Sequence, residues 1–225
     1  MGDKILSTKY HPECETANGP SVQRTGLLFG SFNPVHFGHI SIAEFFVKNN
    51  IIAEVWLVVT PQNPFKVNLE LLDERERLKM VSMALEDKQN LVACDVEFNM
   101  PRPSYTIDTL LKLKQLYPQK HFGVILGSDQ IERFKGWKEW QRIVSEFEVF
   151  FYPRPGTDDK CCNHEKMSED LTLYTVNVKN ADNLRLFNVS STEIRNKLRH
   201  GLPVDGLLPD KVRNYIEEKK FYLNV

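Results

Sequence analysis

The stretch Thr25-Gly-Leu-Leu-Phe-Gly-Ser-Phe-Asn-Pro-Val-His-Phe-Gly-His39 decides how the chain is read. Thr25 to Phe29 is a short apolar run closed by Gly30, the pattern of a buried strand. Gly30-Ser-Phe-Asn-Pro34 is turn chemistry. A helix is expected from His36 to Lys48, with Ile40, Ala43 and Val47 on one face. A strand that turns directly into a helix leaves backbone N–H groups pointing outward, and these favour an anion. Gly30 lets the backbone come close to a phosphate. His36 and His39 are three apart, so they share a helical face and can address one ligand. Gly38 between them removes a side chain, so a flat ring can pack on the helix. The positive end of the helix dipole disfavours an imidazolium, so both are expected to act mainly as neutral N–H donors. The alternatives are a turn with two incidental histidines or a metal pair, for which no third ligand is evident.

The same alternation continues outward. Glu54–Val59 reads as a strand apolar enough to be covered on both faces. Asp73 and Glu76 form a capping box, opening a helix with Leu78, Val81 and Leu85 inward. A strand over Leu91–Phe98 leads through Met100-Pro-Arg-Pro103 into a helix over Tyr105–Tyr117, with Ile107, Leu110 and Leu111 inward. Phe122–Leu126 is a strand ending at Gly127-Ser-Asp129, and a helical stretch then carries Trp137 and Trp140 to Phe147. Val149–Tyr152 is a strand stopped by Pro153-Arg-Pro-Gly156. Thr157–Asp170 is polar and aperiodic, a surface loop, and short strands are expected near Leu171–Val176 and Leu186–Val189. Ser190-Ser-Thr-Glu193 is a second capping box for a helix that stops at Gly201, and Pro209 takes the first position of a last helix. Strands alternating with helices predict an α/β fold with a largely parallel, doubly wound, Rossmann-like sheet in a single domain. That domain is expected over residues 25–225, behind a flexible N-terminal extension, residues 1–24.

Composition bounds the function. With 29 basic against 30 acidic residues in 225, the formal net charge is −1, which argues against a nucleic-acid coat or a polybasic membrane binder. A chain this long buries a sizeable core without disulfides or metal. Cys14, Cys94, Cys161 and Cys162 form no C-x-x-C pair and read as reduced thiols in a cytosol-like compartment. No apolar run approaches the roughly 20 residues of a membrane span. The leading segment has no apolar signal core, carries Asp3, Glu13 and Glu15, and has Leu6 where myristoylation needs Ser or Thr. A cytoplasmic protein is expected.

Ligands of such sheets bind beyond the carboxyl ends of the strands. Three further segments therefore carry candidate chemistry. Ser190, Ser191 and Thr192 place hydroxyls and N–H groups at a helix N-terminus, with Arg195 one turn in, which suits phosphate as well as it suits a plain cap. Asp129 behind Gly127 suits ribose hydroxyls or a helix cap. Tyr105-Thr106 and Trp137 together suit a flat heterocycle bearing a carboxylate or amide, while Trp137 alone suits core packing.

Gly-Ser-Phe-Asn-Pro-x-His-x-Gly-His with a late Ser-Ser-Thr-x-Ile-Arg resembles the signature pair of the nucleotidyltransferase superfamily. Asn63-Pro-Phe-Lys66, Glu76-Arg-Leu-Lys-Met80, Ser104-Tyr-Thr-Ile-Asp-Thr-Leu110, Gly127-Ser-Asp129 before Trp137, and Tyr152-Pro-Arg-Pro-Gly156 look like the bacterial-type nicotinate-nucleotide adenylyltransferases. The likeness runs from about Thr25 to Tyr222. It implies an enzyme of NAD biosynthesis that joins the AMP moiety of ATP to nicotinate mononucleotide and releases pyrophosphate, with Mg²⁺ riding on the triphosphate. The attacking phosphate is already an anion, so positioning and charge stabilisation carry the catalysis. By this resemblance His36, His39 and Arg195 are catalytic, with His39 nearest the α-phosphate. The ATP site also takes in Gly30, Ser31, Phe32, Gly127, Asp129, Arg154, Ser190, Ser191 and Thr192. Ser31, Phe32, Lys66, Tyr105, Thr106 and Trp137 would hold the mononucleotide. No resident metal site, nucleic acid or membrane is implied, and a homo-oligomer is left open.

Two positions depart from the pattern. Phe29 stands where many bacterial members have a second glycine, and Asn33 where many have Asp. Asn also occurs there in relatives that use the amidated substrate, so the acceptor stays open between the nicotinate and nicotinamide forms. A nucleotidyltransferase with another acceptor, such as phosphopantetheine, is disfavoured by Ser-Tyr-Thr and Trp137. A class I aminoacyl-tRNA synthetase shares His36-x-Gly-His39, but Glu169-Asp170 stand where its second motif needs a Lys-Ser pair. A binding module without catalysis fits poorly with His36, His39 and Arg195 all present.

Overall fold

The computed structural model describes residues 23–62, 71–152, 174–175 and 189–223. The expected positions Lys66 and Arg154, the loop Thr157–Asp170, the stretch 186–188 and residues 1–22 lie outside the described residues. The chain enters on β1 (Arg24–Gly30), α1 (Phe37–Lys48), β2 (Glu54–Val59), α2 (Glu74–Leu85) and β3 (Leu91–Cys94). It continues through α3 (Thr106–Leu116), β4 (His121–Gly127), a short α4 (Ile131–Phe134), α5 (Trp140–Glu146) and β5 (Glu148–Tyr152). β6 (Tyr174–Thr175), α6 (Ser191–Arg199) and α7 (Asp210–Lys219) complete the described elements.

All described strands pair in parallel in the order β3-β2-β1-β4-β5-β6. The alternation of side chains along each strand feeds two cores. Leu28, Val55, Leu57, Val59, Ile125 and Phe150 pack with α1, α2, α6 and α7 on one face. Leu27, Trp56, Val58, Val124, Leu126 and Phe151 pack with α3, α4 and α5 on the other. Both faces being covered explains why the strands read as continuous apolar runs. Strand order reverses between β1 and β4, so the crevice beyond Gly30 and Gly127 is the switch point where ligands of this architecture sit. Among the described residues no helix is long and apolar enough to cross a membrane.

The structure corrects several expected elements. β3 stops at Cys94, and Val96–Asn99 is a 3-10 turn rather than strand, because Glu97 is wound inward to meet hydroxyl groups. The single helix expected through Trp137 is broken. α4 ends at Phe134, the turn after it contains Gly136 and left-handed Glu139, and Trp137 sits in that turn. Pro209 is the N-cap of α7, one place ahead of the expected first helical position. The Asp73 carboxylate does cap α2, accepting from Arg75 N at 2.8 Å. Glu76 instead accepts from Tyr215 Oη at 2.5 Å, tying α2 to α7. β1 opens at Arg24, one residue before the expected boundary, and Arg24 is ion-paired with Glu148 of β5.

Candidate active site

Two helix N-termini converge on the loop after β1. His36 is the N-cap of α1 and His39 its third residue, and their rings stack at 3.7 Å between centroids. His39 Nδ1 accepts from the His36 backbone N–H at 3.3 Å. A neutral His39 ring with Nδ1 so engaged carries its proton on Nε2, a hydrogen-bond donor. Gly38 is required by the same packing. A Cβ there would stand 2.9 Å from His36 Nδ1, so the flat ring lying on the helix is that of His36 itself.

Packing gives Gly30 a reason of its own. The Phe32 ring occupies its open side, and a Cβ on Gly30 would meet that ring at 2.8 Å. Phe32 adopts φ +47° and is only 1% exposed. Its side chain is therefore core, packed edge-on to His39 at 4.9 Å. Asn33 is equally buried. Its Oδ1 accepts from Tyr222 Oη at 2.8 Å and Leu72 N at 3.3 Å, so this side chain braces the loop.

α6 docks onto this loop. Ser191 Oγ donates to Pro34 O at 2.9 Å, and Arg195 donates to Asn33 O at 2.8 Å and to Thr192 Oγ1 at 3.2 Å. Ser190 caps α6, accepting from Glu193 N at 3.1 Å. This segment is thus a helix cap docked against the loop that carries the histidines. On the neighbouring strand β4, Gly127 leads into a 3-10 turn with Asp129, whose Oδ2 accepts from Gln130 Nε2. Tyr105 is the N-cap of α3 and Thr106 its first residue. The turn holding Trp137 lies against them, since Lys138 pairs with Asp108 at 2.9 Å and stands 4.9 Å over the Tyr105 ring. Trp137 is half-buried against Phe134, so it packs on the core and keeps an exposed part.

Residues 27–197 match the cytidylyltransferase-like family model. The probable nicotinate-nucleotide adenylyltransferase of Bacteroides fragilis is 43% identical over 178 residues, covering 79% of this chain and 83% of that protein. That of Flavobacterium psychrophilum is 36% identical over 202 residues, covering 88% and 98%. The chain belongs to the cytidylyltransferase-like family and, within it, to the nicotinate-nucleotide adenylyltransferases. The fold agrees with that of the Plasmodium falciparum nicotinic acid mononucleotide adenylyltransferase complexed with APC, with a TM-score of 0.69 at 20% identity, covering 89% of this chain and 97% of that one.

Sequence reasoning missed the groups behind this family's signature motif. Arg77 is 1% exposed and donates to four carbonyls: Leu72 at 2.9 Å, Ser31 at 2.6 Å, Thr60 at 2.8 Å and Pro61 at 3.2 Å. It stands on the buried face of α2 with Met80, Val81 and Ala84, and an arginine inside an apolar stripe was the available signal. Burial lowers its pKa below the ordinary arginine value. Tyr222, after α7, gave no signal. Burial pushes its phenol up, with Arg195 and Arg77 pulling the other way. Glu97 hid inside an expected strand. Burial raises its carboxyl above the usual range, while the hydroxyls of Thr109, Ser104 and Thr60 pull it back.

Proposed function

We infer that this chain joins the AMP moiety of ATP to nicotinate mononucleotide, giving the dinucleotide and pyrophosphate. The observation that carries the reading is the stacked His36–His39 pair at the N-terminus of α1, met by the N-terminus of α6 with Arg195. These groups offer outward N–H donors and a guanidinium to a triphosphate, and the crevice between β1 and β4 offers room for nucleotides on either side.

In this reading the mononucleotide 5′-phosphate attacks the α-phosphorus and pyrophosphate leaves. His39 Nε2–H would donate to an α-phosphate oxygen as charge builds there. His36 would hold His39 by stacking and reach phosphate by its edge. Arg195 and the Ser190–Thr192 turn would take the β- and γ-phosphates. Gly127 and Asp129 would meet the adenosine, with Arg154 on the same side. Tyr105, Thr106 and Trp137 would hold the pyridine ring, Lys66 the mononucleotide, and the backbone of Gly30, Ser31 and Phe32 the phosphates between them. Among the described residues no three His, Cys, Asp or Glu converge as a metal-holding group. Mg²⁺ would ride on the triphosphate and lower its charge. Asn33 is buried and bonded to Tyr222 and Leu72, so its amide braces the phosphate loop instead of reading the acceptor ring.

A pyrophosphate-release assay with ATP and each pyridine mononucleotide in parallel tests the reading. A preference of at least about tenfold, ~1.4 kcal/mol, is expected for the nicotinate form. Comparable rates with both would make the acceptor site dual, and no release with either would overturn the function.

A further inference from the structure

Glu97 is 2% exposed and lies in the 3-10 turn that follows β3. Its Oε2 accepts from Ser104 Oγ and its Oε1 from Thr109 Oγ1, each at 2.7 Å. Both hydroxyls belong to the start of α3. Ser104 directly precedes Tyr105, the N-cap of α3. Thr109 lies in the first turn of α3 and grips the cap from inside, its N and Oγ1 donating to Tyr105 O at 3.2 and 3.3 Å. Glu97 thus ties the turn after β3 to the cap of α3.

Two converging hydroxyl donors can be satisfied together by a carboxylate, which is an acceptor at both oxygens. A glutamine of the same shape presents an N–H₂ to one of them and forces that hydroxyl to turn. A cluster kept only for stability would not need to join these segments, because apolar residues fill such space at lower desolvation cost.

We propose that Glu97 is a positioning residue for the acceptor: through Ser104 and Thr109 it fixes Tyr105 and Thr106 against the turn that follows β3. The proposal rests on the functional reading above, which assigns the pyridine ring to Tyr105, Thr106 and Trp137. The donor side does not depend on Glu97, because Arg195, α6 and Arg77 hold it separately.

The test is steady-state kinetics of the full chain with each substrate varied in turn, alongside thermal melting. Glu97→Gln is expected to raise KM for the mononucleotide about tenfold while KM for ATP stays within about twofold. Thr109→Val should follow it, and Thr109→Ser, which keeps the hydroxyl, should stay near wild type. Should Glu97→Gln fail to fold, Ser104→Ala decides by the same split, with a rise of about threefold for the mononucleotide alone. Equal rises in both KM values, or a lowered melting temperature with neither KM changed, would overturn the proposal and leave Glu97 a stabilising group. A wild-type chain inactive with every pyridine mononucleotide would instead overturn the functional reading, and with it this one.

Discussion

The loop after β1 and the first turn of α3 both stand at the carboxyl end of the sheet, yet they are held by opposite chemistry. The loop is gathered by cations. Arg77 takes carbonyls from three segments, and Arg195 takes Asn33 O. The α3 turn is gathered by an anion, Glu97, which takes hydroxyls. A site for triphosphate gains from guanidinium groups behind it, since their fields add to those of two helix N-termini. The α3 side lies against a buried carboxyl and an exposed Lys138–Asp108 pair. The contrast teaches that the donor half is preorganised electrostatically, whereas the acceptor half is preorganised by shape and hydroxyl hydrogen bonds. It also explains how a chain of net charge −1 can handle a triphosphate.

The largest test of that contrast is Arg77→Ala. Each carbonyl left buried without a donor costs about 1–3 kcal/mol, so four of them should lower stability by more than about 4 kcal/mol. A denaturant midpoint shift measures this, and a loss below about 1 kcal/mol would show that the loop does not depend on Arg77. Next comes His39→Ala, which removes one preorganised donor and should cost about 10²–10³ in kcat, or ~2.7–4 kcal/mol. Its circular dichroism should stay near wild type and its stability should fall by no more than the one backbone hydrogen bond that His39 Nδ1 accepts, about 0.5–1.5 kcal/mol. Near-normal turnover would break its role as phosphate donor. The smallest effect is expected for Tyr222→Phe, which keeps the ring and deletes one hydrogen bond to Asn33, about 0.5–1.5 kcal/mol of stability. If Tyr222 serves the donor half alone, KM for ATP and kcat shift modestly while KM for the mononucleotide does not. A shift confined to the mononucleotide would move the Asn33 brace to the acceptor half.

The donor half was legible because its residues are neighbours in the chain. Gly30 to His39 carry their own geometry: a strand end, a turn and a helix start, with Gly38 making room for a ring two residues away. The Ser190-Ser-Thr segment was legible for the same reason, as a helix cap with hydroxyls. The acceptor half was legible only as residue types. Tyr105, Thr106 and Trp137 were picked out, but the helix expected around Trp137 proved to be a turn, since Gly136 and left-handed Glu139 interrupt it.

The sequence by itself determined the alternation of strands and helices, the parallel sheet and the paired histidines at a helix start, because periodicity, caps and turns act over a few residues. Tertiary structure alone decided that the Phe32 ring lies inward against Gly30, and that Asn33 is a brace tied to Tyr222. It alone brought Arg77 and Glu97 to the places they hold. Their partners lie up to 46 residues away in the chain for Arg77 and up to 12 residues away, at the start of α3, for Glu97. A buried polar group is chosen by whatever unsatisfied donors or acceptors the fold leaves around it, and that inventory exists only once the chain has packed.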